Sequence, residues 1–213
     1  MKVGILGSGA VAKLLATGFL NLGYEVKLGT RDSNKLIEWT NSIGAKGEVG
    51  TFEEAASFGE IIVLAINWSG VENAINLANK KNFYGKIVID VTNPLDFSKG
   101  VPPKFVATYG NSAGEQIQNM LNDSKVVKAF NTVSASIMIN PKLEDGDPDL
   151  LIAGNDESAK KSVTEIAKSF GWKNVIDIGD IKQSYWLETF AMLWIEYGFK
   201  YNRWTHAFKL LYK

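Results

Sequence analysis

The chain has 213 residues, 46% hydrophobic and 22% charged, with no cysteine, one histidine and a formal net charge of zero. That length suits one well-buried α/β domain with a small appendage, and the balanced charge offers no field for nucleic acid or an anionic membrane. The missing cysteines exclude disulfides, Fe–S clusters and a thiol nucleophile, and the lone His206 cannot build a multi-histidine zinc site.

Met1-Lys2-Val3-Gly4-Ile5-Leu6-Gly7 runs straight into a strand over Lys2–Leu6, so no signal peptide is expected there. Apolar spacing through Val11, Leu14, Leu15, Phe19 and Leu22 predicts a helix over Val11–Leu22, stopped by Gly23. Glu25–Gly29 reads as a second strand, and Asp32 or Ser33 can cap a helix over Lys35–Ile43. A short strand over Gly47–Phe52, a helix over Glu53–Phe58 and an apolar strand over Glu60–Ile66 follow. Then come a helix over Val71–Lys80 and a strand over Lys86–Val91, broken at Asn93–Pro94. Runs such as Ile61-Ile62-Val63 and Ile87-Val88-Ile89 suit strands buried on both faces, with helical crossovers between them. No apolar run is long enough to span a membrane, and a cytoplasmic location is expected.

Leu95–Phe105, with Gly100, Pro102 and Pro103, reads as a loop. Beyond it are a helix over Gly114–Leu121 and a strand over Lys125–Phe130. Further strands over Asp149–Ala153 and Asn174–Ile178 flank a helix over Ser158–Phe170. The last stretch reads as two helices, Ile181–Tyr197 and Tyr201–Leu211, rich in tryptophan and tyrosine. Those aromatics point to burial or a homodimer interface, and Glu188 and Glu196 are expected on the polar side. The expected architecture is a Rossmann-type, doubly wound, mainly parallel sheet over residues 1–180, with residues 181–213 as a helical C-terminal extension.

Chemistry enters at Gly7-Ser8-Gly9-Ala10-Val11-Ala12, between the first strand and the first helix. Gly7 permits the tight turn, Gly9 lets backbone approach a pyrophosphate, and Ala12 lets the helix pack on the sheet. An NAD site expects an acid near the end of the second strand. Here Gly29-Thr30 stands at that place, followed by Arg31, with Lys35 one helical turn further on, which points to the 2′-phosphate of NADP. A one-residue shift of register would instead offer Asp32 to the ribose.

Ligands of open α/β sheets sit beyond the carboxyl ends of the strands. Those ends carry Asn67-Trp68, Asn93-Pro94 and Asn131-Thr132-Val133-Ser134-Ala135. They are expected to form a nicotinamide pocket walled by Trp68 and shaped by Asn93, Asn131 and Val133. No general acid stands out there, no metal site is expected, and no Gly-x-Ser-x-Gly elbow accompanies His206. Hydride transfer to a flavin-like ring needs mainly the alignment of two planar rings. Reduction of a small organic carbonyl or imine would need a proton donor, with Lys128 or Tyr109 as candidates. A non-catalytic NADP-binding redox sensor is the third reading.

Gly7-Ser8-Gly9-Ala10-Val11-Ala12, Gly29-Thr30-Arg31-Asp32 and Val126-Val127-Lys128-Ala129-Phe130-Asn131-Thr132-Val133-Ser134-Ala135 together resemble the F420-dependent NADP oxidoreductase family. They are also similar to the NADPH domain of the six-transmembrane ferric reductases. The resemblance implies a dimeric Rossmann protein with NADPH across Ser8–Val11, Thr30, Arg31 and Lys35, and with Trp68 and Ala135 near the nicotinamide. It also implies a small-molecule hydride acceptor, F420 or a flavin such as FMN or FAD. Members that use F420 can carry a histidine where this chain has Asn131.

Overall fold

A computed structural model describes residues 1–43 and 47–212. In chain order the elements are β1 (Lys2–Leu6), α1 (Ala10–Asn21), β2 (Glu25–Gly29), α2 (Ile37–Ile43), β3 (Gly47–Gly50), α3 (Phe52–Phe58), β4 (Ile61–Leu64), α4 (Val71–Leu77) and β5 (Ile87–Asp90). Then follow β6 (Leu95–Asp96), β7 (Lys104–Phe105), α5 (Ala113–Met120), β8 (Lys125–Lys128), α6 (Ala135–Met138), β9 (Asp149–Gly154), α7 (Glu157–Ser169), β10 (Asn174–Asp177) and α8 (Ser184–Tyr201).

Eight strands form one sheet in the order β10-β9-β8-β5-β4-β1-β2-β3. All neighbours run parallel except β8 and β9. After β1 the chain winds outward through β2 and β3, then returns to place β4 on the other side of β1. That reversal opens a crevice beyond the carboxyl ends of β1 and β4, where open α/β sheets bind ligands.

Alternate strand residues feed two cores. Ile5, Val63, Ile89 and Val127 pack with Leu15 and Phe19 of α1 and Val163 of α7. Leu6, Ile62, Val88 and Val126 pack with Ala55, Ile75 and Ile117 of α3, α4 and α5. Both faces are therefore dry, which is why these strands read as continuous apolar runs. The expected doubly wound sheet is thus present.

Three local expectations change. Leu95–Phe105 is not all loop: Leu95 pairs with Phe105 and Asp96 with Lys104 in a small antiparallel hairpin. Ser33–Leu36 forms a 3-10 turn before α2, with Asp32 as its cap. The second C-terminal helix does not form. Asn202 ends α8 in the left-handed region (φ 48°), and no helix follows it among the described residues. The strap after Asn202 turns back along α8 instead. The Trp194 Nε1–H donates to the His206 carbonyl at 2.7 Å, and the His206 ring stacks on Trp194. Further on, the Asp149 N–H donates to the Phe208 carbonyl and Asp149 Oδ2 accepts from the Leu210 N–H. These tertiary bonds outweigh the modest helical preference of the segment. Because β9 runs antiparallel to β8, with Lys128 opposite Ala153, Asp149 and the strap lie beyond the carboxyl end of β8.

Candidate functional site

The turn after β1 is held open by sterics. Gly7 sits at φ 138°, and a Cβ there would lie 2.2 Å from the Ala65 carbonyl oxygen. Only glycine fits, and the chain turns directly into α1. Gly9 differs: nothing lies within 4 Å of where its Cβ would be. Gly9 is the N-cap residue of α1, and no side chain caps the helix or places an acid in its first turn. The first N–H groups of α1, which have no partner within a helix, stand at the edge of that open space. That is the arrangement a pyrophosphate needs.

Gly9, Ala10 and Val11 line a cleft of about 280 Å³ with Asn67, Trp68 and Asn93, all expected residues. Ala65, Ile66, Val91, Thr92 and Leu95, from the ends of the same two strands, and Phe97, which was not expected, complete the lining. Leu95 and Phe97 arrive through the hairpin that the sequence reads as loop. A larger cleft of about 800 Å³ lies at the opposite edge, by Met1, Ile61, Lys86 and Lys125, where the strands begin. It is remote from the glycine turn and from every expected site residue.

Thr30, Arg31 and Lys35 stand at the end of β2, across β1 from the cleft. Thr30 is buried, and its hydroxyl donates to the Asp32 carbonyl and accepts from the Asp32 N–H. Thr30 therefore shapes the turn, and its hydroxyl is already engaged. Arg31 and Lys35 are exposed, and no carboxylate pairs with either among the described residues. Asp32 spends one carboxylate oxygen on the Asn34 N–H. Gly29 leaves no room for an acid: a Cβ would meet Ala55 Cβ at 2.9 Å and the Thr51 carbonyl oxygen at 3.0 Å.

At the far end of the cleft, Asn93 and Asn131 grip one another. Asn93 Nδ2 donates to the Asn131 carbonyl at 2.8 Å, and Asn131 Nδ2 donates to Asn93 Oδ1 at 3.0 Å. Phe130, just before Asn131, takes a left-handed backbone (φ 62°) that costs a non-glycine residue about 1–2 kcal/mol. Its ring is locked against Phe170 and Trp172. Pro94 and Val133 are buried and Ala135 opens α6 half-buried; none of the three lines the cleft, and neither does Asn131.

Lys128 and Glu188 overturn two expectations. Both side chains are 0% exposed. Lys128 Nζ forms ion pairs with Asp90 Oδ2 at 2.7 Å and Glu188 Oε1 at 2.9 Å, and donates to the Thr92 carbonyl at 2.9 Å. Burial pulls the Lys128 pKa down, but Asp90 and Glu188 more than offset it, and the net shift is upward. Lys128 is thus a fixed cation and no proton donor to substrate. Glu188, far from marking a polar face, also accepts from the Ala113 and Gly114 N–H groups at 3.0 Å, capping α5 with a carboxylate. Tyr109, the other candidate donor, is 75% exposed and packs edge-on against Tyr185, away from the cleft lining.

Comparison with known proteins agrees with this layout. A solved structure from Arthrobacter sp. FB24, described as an F420-dependent NADP reductase, is 34% identical, covers 100% of both chains and superposes with a TM-score of 0.94. The chain belongs to the F420-dependent NADP oxidoreductase family. The family profile, described as NADP oxidoreductase coenzyme F420-dependent, matches residues 2–94, the N-terminal part that carries the glycine turn. The F420-dependent NADP reductase of Methanocaldococcus jannaschii is 29% identical over 95% of this chain and 94% of its own length. The rat metalloreductase STEAP3 is 32% identical over 84% of this chain, but only 34% of that protein is covered. The chain thus spans about a third of that relative, and among the described residues no helix is long and apolar enough to cross a membrane. As a family member, the protein is an NADP-dependent oxidoreductase.

Proposed function

We propose that the protein passes hydride between NADP(H) and a flavin or deazaflavin acceptor such as F420. What carries this reading is the lining of the cleft: among the described residues it contains no titratable side chain. Reduction of a carbonyl or imine calls for a proton donor at the reacting atom, whereas transfer between two planar rings calls for alignment and exclusion of water. Of the two donor candidates, Lys128 is fully buried between two carboxylates and Tyr109 is turned away from the cleft.

In this reading Gly9, Ala10 and Val11 hold the pyrophosphate, and Arg31 with Lys35 holds the 2′-phosphate. Trp68 and Asn93 wall the nicotinamide end, with Asn131 holding the Asn93 amide in place. The nicotinamide, when bound, supplies or receives the hydride. The chain positions the ring, and Leu95, Phe97 and Trp68 keep water from the reacting face.

Stopped-flow mixing of NADPH-loaded protein with FMN, FAD and F420 tests this. At least one should oxidise NADPH within the dead time to seconds range. Gly9→Ala, whose Cβ would enter the pyrophosphate cradle with no protein atom within 4 Å, should keep the melting temperature and weaken NADPH binding. Binding without oxidation by any of the three acceptors would leave the sensor reading in possession.

The protein acts as a homodimer in this reading, in the cytoplasm. Trp186, Leu193 and Tyr197 recur along one side of α8 and remain exposed, as an interface helix would have them. Light scattering should give twice the chain mass for wild type and a monomer for Leu193→Glu. A monomeric wild type would remove the dimer from the proposal.

A further inference from the structure

The one histidine of the chain joins the C-terminal strap to α8 through both of its ring nitrogens. His206 Nδ1 lies 2.9 Å from the Arg203 carbonyl oxygen, and Nε2 lies 3.1 Å from the Trp194 carbonyl oxygen. A carbonyl oxygen can only accept. A neutral imidazole has one donor and one acceptor, so it would satisfy one of these contacts and turn a nitrogen lone pair on the other oxygen. A ring protonated at both nitrogens satisfies both. The surroundings suit a cation too. The ring stacks on Trp194 at 4.7 Å and meets Tyr197 at 4.6 Å, and aromatic faces attract positive charge. The charged groups around it balance. Arg203 and Lys209 of the strap and Lys142 of the loop before β9 are set against Glu144, Asp145 and Asp147 of that loop, and all six line one cavity of about 570 Å³ with His206 and Tyr197.

We infer that the strap is a pH-sensitive latch, docked on α8 while His206 is protonated at both nitrogens and loosened when the second proton leaves. That loss turns one of the two hydrogen bonds into a contact between lone pairs, and it removes the charge held beside Trp194 and Tyr197. The latch therefore holds at lower pH and slackens as pH rises. Two neighbouring ties go with it: the Trp194 Nε1–H bond to the His206 carbonyl, and the packing of Phe208 on Phe190 at 4.5 Å. Tyr197 also belongs to the exposed side of α8, so the state of the latch reaches the face proposed above for dimerisation. None of this depends on the cofactor reading.

The test uses the full chain, and with no second histidine the ring is read directly by proton–nitrogen NMR. A doubly protonated ring gives two nitrogens of similar shift, and a neutral ring gives two widely separated ones. Docking is read by trypsin cleavage after Arg203 and Lys209, both exposed, relative to a free peptide of the strap sequence, which cancels the protease's own response to pH. As pH is raised, the ring should pass from the first pattern to the second, and relative cleavage should rise several-fold over the same interval. His206→Phe keeps an aromatic ring that cannot titrate, and its strap should be cleaved at the faster relative rate at every pH. If that variant does not fold, the wild-type titration decides alone. A neutral ring in a protected strap, or protection that stays unchanged while the ring loses its proton, would overturn the latch.

Discussion

Lys128→Met is expected to cost about 3–5 kcal/mol of folding stability, the penalty for stripping the partner from buried charges. The substitution preserves the bulk of the side chain and removes the one cation between Asp90 and Glu188. Two carboxylates would then share a dry site at the junction of β5, β8, α5 and α8. For a chain of this size the loss corresponds to a fall of about 10 °C or more in melting temperature. Glu188→Gln should cost less. It leaves the Asp90–Lys128 pair neutral overall, at the expense of one of the two backbone N–H bonds that cap α5. Adding Glu188→Gln to Lys128→Met should recover part of the loss, because one of the two stranded charges disappears, and the pair should be strongly non-additive. The pH dependence has a definite sign. The folded Lys128 pKa is raised above its ordinary value of 10.5. Its contribution is therefore complete below that ordinary value and is lost only as pH climbs through the raised one. The gap in melting temperature between wild type and Lys128→Met should stay flat from neutral to mildly alkaline pH. A gap that closes between pH 6 and pH 8 would mean that Lys128 loses its proton in the working range, and would return it to the list of proton donors.

The frame of the molecule was legible wherever one local signal sufficed. Gly7-Ser8-Gly9 followed by the apolar spacing of α1 announces strand, turn and helix in sequence, and Ile61-Ile62-Val63 announces a strand covered on both faces. Asp32 declares itself as a cap. What stayed hidden depends on partners distant in the chain. Strands of two residues, as in the Leu95–Phe105 hairpin, are too short to show a period. The spacing of Trp204, Phe208 and Leu211 imitates a helix, yet the segment is tied down by Asp149 and Trp194, which no local pattern reveals. Glu188 could have been found. Ser184, Leu187, Ala191, Trp194, Ile195 and Gly198 form the buried stripe of α8, and residue 188 falls in the middle of it. A carboxylate on an apolar stripe requires a buried cation, and Lys128, at the buried end of β8, supplies it. The Asn93–Asn131 pair needed more. Each asparagine stands at a strand end in the sequence, but their contact follows only from β5 and β8 being neighbours in the sheet.

Arg31→Ala is expected to erase the preference for NADPH over NADH, and the end of β2 gives the reason. A ribose-binding acid has no place there. At position 29 its Cβ would collide with Ala55 and with the Thr51 carbonyl; at position 30 it would replace the hydroxyl that closes the turn onto Asp32. Asp32 itself already caps Asn34. Arg31, by contrast, is exposed and has no carboxylate partner among the described residues, so its planar fork is available for a dianionic phosphate. A charge-assisted pair of this kind contributes about 1.5–3 kcal/mol, which is roughly 10- to 100-fold in affinity. Wild type should therefore bind NADPH at least tenfold more tightly than NADH. Arg31→Ala should weaken NADPH by about that factor and leave NADH nearly unchanged. Lys35→Ala should act in the same direction but less strongly, since an exposed ammonium on a flexible stem is screened by salt and holds no fixed geometry. Raising the ionic strength should compress the wild-type ratio. Equal binding of NADH and NADPH by wild type would hand the ribose to the remaining oxygen of Asp32, and would leave Arg31 an ordinary surface charge.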